Sequence, residues 1–317
     1  MQKRKEVMER IPDPITGETM GWLDHDTGEL CQNKVVECPE GTILITPAQQ
    51  RRNKAYWAMK EENEATKWRR ERERKNGGNY YFLAADTRYR DLSPETVVRL
   101  VYLGTFQKFG KGILMLTERT PMKLQDLRDV LNISPASVTK FKEETIKAGR
   151  YLGVNADGSL TLSPDFFHRG KIGKGWYHRE YQTVFHDSVR SLYNRTSPRN
   201  HGRLGLIFQM LPFINREHNI LCHNPEETDI NKIIPLTIDE FCGEIGYNPN
   251  QRSRLMREYS RITFDVNGTQ ERFCSFCFDG AHRGAIRIII NPRILYKGSY
   301  ADRVGEYGTL FIEPEAS

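Results

Sequence analysis

Apolar positions recur at helical spacing in two stretches of this chain, and the two stretches match. KLQDLRDVLNISPASVTKFKEE, from Lys123, and TIDEFCGEIGYNPNQRSRLMRE, from Thr237, each read as a helix, a turn ending in Pro, and a second helix. In the first, Leu124, Leu127, Val130 and Leu131 share one face, and Ser134-Pro135 opens a helix that buries Val138, Phe141 and Ile146 and stops at Gly149. In the second, Thr237-Ile-Asp-Glu240 is a capping box, Gly246 ends the helix, and Pro249 opens another with Leu255, Met256 and Tyr259 inward. Extended segments follow each: LTLSPDFFHRG at 160–170 and IIINPRILYKG at 288–298.

Each pair has an apolar helix ahead of it. One starts at Ser93-Pro94-Glu95 and buries Val97, Leu100, Val101 and Leu103; the other runs from Leu204 to Phe213. Asn155-Ala-Asp-Gly158 is a hairpin turn returning into a strand at Ser159 to Leu162. The second ribbon is longer, with strands at Phe264 to Phe278 and Ala285 to Ile290. A helix-turn-helix followed by a β-ribbon predicts a winged helix, here present twice.

Around these modules, Tyr181, Val184, Phe185, Val189 and Leu192 recur at helical spacing and predict a bridging helix. The turn sequences DPITGE (13–18) and DHDTGE (24–29), with apolar residues between and after them, predict a β-meander. Residues 46–75 lack Gly and any internal Pro and predict a solvated, charged helix, closed by Asn76-Gly-Gly-Asn79. The expected class is α+β, mainly helical: a meander (1–45), a charged helix and linker (46–78), a winged helix (79–172), a bridging helix (173–202) and a second winged helix with a tail (203–317).

Composition adds little that is specific. The 317 residues are 38% hydrophobic and 28% charged, with no apolar run long enough to span a membrane. The basic opening MQKRKEVMERIPDP has no apolar stretch behind it and does not read as a signal peptide, so a bacterial cytoplasmic location is expected. A net charge of +6 favours an anionic partner only in company with the fold. Six scattered cysteines read as reduced thiols. Cys274 and Cys277 form a CxxC on a strand, where residues three apart face opposite sides; a zinc site made with Cys31 and Cys38 is the alternative, and no metal or cofactor is expected.

Candidate contacts with duplex DNA sit on the second helix of each pair, which enters the major groove N-terminal end first. The second module offers Asn248, Asn250, Gln251, Arg252, Arg254 and Arg257, side chains that can make paired hydrogen bonds to base edges. The first offers Ser134, Ser137, Thr139, Lys140 and Lys142, better suited to phosphates or to a protein partner. Arg272, His282 and Arg283 are expected at the second wing tip, and Arg69, Arg70 and Arg72 on the charged helix as a phosphate-contacting arm. Catalysis is not expected. No His-x-His pair accompanies a tyrosine, and GTFQKFGKG at 104–112 departs from a phosphate loop in spacing and in the Gly after its Lys, so it reads as a helix end.

The segment IRIIINPRILYKGSYADRVGEYGTLFIEPE and the N-terminal turn DTGE at 26–29 resemble RepL-type replication proteins of Gram-positive plasmids and their phage counterparts. This chain departs from that family in carrying the module twice, in which it is similar to the two-winged-helix initiators of theta-replicating plasmids. The resemblance implies a non-catalytic initiator that binds repeated origin sites on double-stranded DNA and recruits host replication proteins. A transcription regulator and a protein-interaction factor are the competing readings. A second copy of the chain is a further candidate partner.

Overall fold

The computed structural model describes residues 8–12, 19–24, 30–31, 47–83, 87–171, 181–266, 268–278, 286–296, 298 and 308–312. They form an α+β protein with small antiparallel sheets. The chain divides into two units, Met1–Lys60 and Glu61–Ser317.

In the first unit, β1 (Met8–Pro12), β2 (Thr19–Asp24) and β3 (Leu30–Cys31) form an antiparallel meander, with Glu9 opposite Leu23 and Trp22 opposite Cys31. The turn glycines expected between these strands lie outside the described residues. Helix α1 (Pro47–Lys75), of which residues 61–75 belong to the second unit, follows the helix-forming run, and all its described side chains are exposed. A helix with so few apolar residues has no stripe to bury.

The second unit is built around a four-stranded sheet in the order β13-β8-β4-β7. Its strands are β4 (Asn79–Phe82), β7 (Phe167–His168), β8 (Gln182–Phe185) and β13 (Leu295–Tyr296). Between β4 and β7 lie α2 (Pro94–Gly104), α3 (Leu127–Leu131), α4 (Pro135–Lys142) and the hairpin β5 (Leu152–Val154) with β6 (Leu160–Leu162). Between β8 and β13 lie α5 (His186–Arg195), α6 (His201–Gln209), α7 (Ile238–Glu244), α8 (Arg252–Ser260), β9 (Thr263–Val266), β10 (Thr269–Arg272), β11 (Cys274–Phe278) and β12 (Ile286–Ile290). A final turn, α9 (Gly308–Phe311), buries Phe311.

Three sequence expectations need correction. Val184 and Phe185 belong to a strand, because Asn79–Phe82 presents a partner for Gln182–Phe185, and Tyr181 precedes it; the helix starts only at His186. The helix expected from Leu124 begins at Leu127, since Asp126 Oδ2 accepts from Lys123 N (2.7 Å) and holds a turn there. The stretch Phe264 to Phe278 is not one strand: Gly268 (φ +82°) turns β9 back into β10, and β11 follows.

The two halves repeat the same hydrogen bonds. Leu114 N donates to Leu160 O (2.8 Å), and Leu221 N to Ile288 O (2.9 Å). Met122 N donates to Leu114 O and Leu236 N to Leu221 O, both at 2.9 Å. Lys108 N donates to Ile113 O and Asn215 N to Ile220 O, both at 2.7 Å. Leu162 N reaches Gly112 O, and Ile290 N reaches Asn219 O, both at 3.0 Å. Two pairs of backbone exceptions also coincide: Gly112 and Asn219 share positive φ (+66°, +53°), as do Asn132 and Gly246 at the ends of α3 and α7 (+50°, +65°).

The halves are related by an approximate two-fold axis. β4 and β8 pair antiparallel, Tyr80 with Val184, Tyr81 with Thr183 and Phe82 with Gln182. β7 then pairs with β4 (Phe82 with Phe167) as β13 pairs with β8 (Val184 with Leu295). The axis passes the Tyr81–Thr183 pair and also relates α2 to α6, which pack together. Their approach is close: a Cβ on Gly205 would stand 1.7 Å from the Pro94 carbonyl oxygen. One hydrophobic core runs from Tyr80 and Leu103 through Leu204 and Phe208 to Ile290 and Leu295. The bridging helix α5 stacks Tyr193 on Tyr102, with centroids 3.9 Å apart, and Tyr193 Oη donates to Leu131 O (2.9 Å).

Two buried histidines line this junction. Burial, then the charges of Arg169 and Arg190, push the His186 imidazole down to about 3; burial, then Arg99, pushes His201 down to about 4. The unfolded chain, with ordinary histidines near 6.5, binds the extra protons, so stability is full above that pH and falls as pH drops toward the folded values. In urea titrations, stability should fall between pH 6.5 and pH 5, by up to about 1.4 kcal/mol per pH unit for each histidine. A flat profile in that window would show that these imidazoles are not held neutral.

Candidate nucleic-acid interface

The third helix of the second half begins where Asn248 Oδ1 accepts from Asn250 N (3.0 Å) and Pro249 supplies a fixed φ for the first turn. Leu255 and Tyr259 are its buried anchors, and Tyr259 Oη donates to Arg203 O (2.7 Å). The preceding helix α7 is fixed by its capping box: Thr237 Oγ1 accepts from Glu240 N (3.1 Å), and Glu240 Oε2 accepts from Thr237 N (2.8 Å). The outward face then carries Asn250, Gln251, Arg252, Arg254 and Arg257, all exposed.

These residues differ in availability. Arg252 Nη1 meets both carboxylate oxygens of Asp239, at 3.0 and 3.1 Å. Arg254 Nε donates to Glu258 (2.9 Å), and this hydrogen bond raises its guanidinium further above the ordinary range. Asn248 has its Oδ1 engaged in the cap. Asn250, Gln251 and Arg257 make no side-chain hydrogen bond or ion pair among the described residues, so their donors and acceptors face solvent.

The corresponding face of the first half is satisfied from within. Ser134 Oγ accepts from Ser137 N (3.3 Å) and donates to Ser137 Oγ (3.1 Å), while Thr139 Oγ1 donates to Pro135 O (3.2 Å). Lys140 lies 3.8 Å from Glu144, whose other carboxylate oxygen accepts from Ser93 N (3.2 Å) and Ser93 Oγ (2.8 Å). Lys142 is half-buried. The tip of the β5–β6 hairpin presents Asp157, whose carboxyl is held below its ordinary range by hydrogen bonds from Ser159. An exposed carboxylate there disfavours a phosphate backbone.

Arg272 is not at a wing tip. It ends β10 opposite Thr263, at the end of the hairpin away from the Gly268 turn, and is half-buried. Because β9, β10 and β11 are separate strands, Arg272 comes before the β11–β12 ribbon and not at its tip. Arg283 and His282 lie outside the described residues. Arg70 is exposed on α1; Arg69 and Arg72 lie on the same helix, where only the backbone is described.

Burial drives the Cys274 thiol well above its ordinary range, and its Sγ faces Tyr259 O at 4.0 Å. Cys38 lies outside the described residues, among which no group of three His, Cys, Asp or Glu side chains gathers as a metal site. No helix among them is long and apolar enough to cross a membrane. Sequence reading passed over one cluster, Arg169 with Arg190, because no local motif links a residue after β7 to one on α5. The chain matches no family model, no curated protein and no solved structure.

Proposed function

We propose that the chain is a sequence-specific double-stranded DNA-binding protein of a plasmid or phage, with each half a winged helix. One observation carries the reading. An exposed helix end displays Asn250, Gln251 and Arg257 with unspent donors and acceptors, ahead of a β-ribbon, in a module that occurs twice about a two-fold axis. Paired amide and guanidinium groups are the chemistry that distinguishes base pairs in the major groove. A two-fold pair of such helices suits a site with two inverted arms. The arms differ in sequence, because α8 reads and α4 offers little beyond Lys140. The role in replication rests on the resemblance of the 286–315 segment and the DTGE turn at 26–29 to RepL-type proteins.

Binding is tested by fluorescence anisotropy on duplexes from the DNA flanking the coding gene. A specific duplex should bind at one chain per site, with affinity falling at least tenfold between 50 and 200 mM salt. Equal affinity for every duplex, or none at low salt, would overturn the reading. Replication is tested by asking whether the gene and its flank sustain a plasmid lacking another origin.

A further inference from the structure

Where α2 ends, the loop Thr105–Phe109 lies beside Met115–Glu118 and, with Arg169 and Arg190, lines an open cavity of about 460 Å³. Small-molecule sites run from about 300 to 1,000 Å³. Two guanidinium groups line it. Arg190 Nε donates to Thr105 Oγ1 (3.0 Å) and its Nη2 to Thr105 O (2.8 Å), with the fork 4.7 Å from the Phe106 ring centroid. Arg169 Nη1 donates to Gln107 O. Burial, then the charge of Arg190, lowers the Arg169 guanidinium below its ordinary value against the opposing charge of Glu73, so the two cations act on each other.

The two-fold repeat shows what is missing. In the other half, Arg90 lies over Phe213 (5.3 Å) as Arg190 lies over Phe106, and Arg90 is neutralised by Glu244 at 2.7 Å. Aligning Leu127 with Phe241 and Pro135 with Pro249 places Val130 opposite Glu244. The first half therefore keeps the arginine and lacks its acid. Neither Arg190 nor Arg169 forms an ion pair with a carboxylate among the described residues. Lys108 adds a third cation at the rim; Glu118 is the carboxylate among the lining residues, and Glu73 acts on Arg169 from outside the lining. Phe109, an apolar ring at 60% exposure, stands beside them.

We propose that this cavity binds a free phosphate ester carrying a flat ring, the chemistry of a nucleoside monophosphate, with the phosphate between Arg169 and Arg190 and the base against Phe109. With Arg190 Nε and Nη2 held by Thr105 and Arg169 Nη1 by Gln107, the groups left to meet phosphate oxygens are Arg190 Nη1 and Arg169 Nε and Nη2, and any base offers a face to an aromatic ring. The proposal is independent of the DNA-binding reading.

Isothermal titration of the full chain with AMP, adenosine and inorganic phosphate, each at one ionic strength, tests it. AMP should bind once per chain, with adenosine and phosphate each at least about tenfold weaker. Phe109→Ala, at an exposed position that does not threaten the fold, should weaken AMP about tenfold and leave phosphate unchanged. Arg169→Gln should weaken both. Absence of AMP binding, or AMP binding that neither substitution alters, would overturn the proposal. So would AMP that duplex DNA displaces equally from wild type and Phe109→Ala, and so would oligo-dA binding through these residues where AMP does not.

Discussion

Gly205→Ala is expected to cost the folded protein about 3 kcal/mol or more, at the upper end of overpacking effects. The added carbon would lie 1.7 Å from the Pro94 carbonyl oxygen and 2.3 Å from its carbonyl carbon. Both are backbone atoms of α2, so no rotamer change relieves the clash; the two helices must part. Parting them opens the core at Leu204, Phe208, Val97 and Val101, all at most 1% exposed. The matched control is Gly243→Ala in α7, where a Cβ meets nothing within 4 Å. There the change should stabilise by about 0.5–1 kcal/mol, through reduced freedom of the unfolded chain. Urea denaturation of both variants decides the matter. A Gly205→Ala protein as stable as wild type would mean that α2 and α6 do not meet this closely.

The triple substitution Asn250→Ala, Gln251→Ala, Arg257→Ala is expected to lower affinity for a specific duplex about a hundredfold or more while leaving residual binding to random DNA. Lys140→Ala should change specific affinity by only about threefold and should reduce the salt slope. Arg252→Ala and Arg254→Ala should fall between, because their forks are already engaged by Asp239 and Glu258 and must be released before they meet a base or phosphate. Anisotropy titrations on specific and scrambled duplexes separate these outcomes. Equal losses for the triple variant and Lys140→Ala would remove the distinction between the two faces.

The repeated helices and their caps were legible because their signals are local. Thr237 to Glu240, Ser134-Pro135 and Gly246 each specify a helix end within a few residues, and the structure places helix ends there. The four-stranded sheet was not legible. Its strands are two to four residues long and pair across roughly a hundred positions, so neither period nor turn marks them. Tyr181 to Leu192 misled for the same reason: five apolar positions satisfied a helical period, and only the partner strand β4 decides that the first part is extended. At the candidate interface, residue type identified the helix and its exposed face. It could not say which arginines are already paired, since Asp239 and Glu258 reach them through folded geometry. Arg190 and Arg169 are a tertiary meeting with no trace in sequence spacing.

The axis at Tyr81 and Thr183 has an evolutionary consequence. In a symmetric dimer of one gene product, a single codon change alters both halves at once, and an improvement to one surface is imposed on the other. Here the halves are joined in one polypeptide, and their shared ladder constrains the backbone alone. Each surface can drift under its own selection. That freedom is already visible in Glu244 and Val130, one position in the framework and two chemistries.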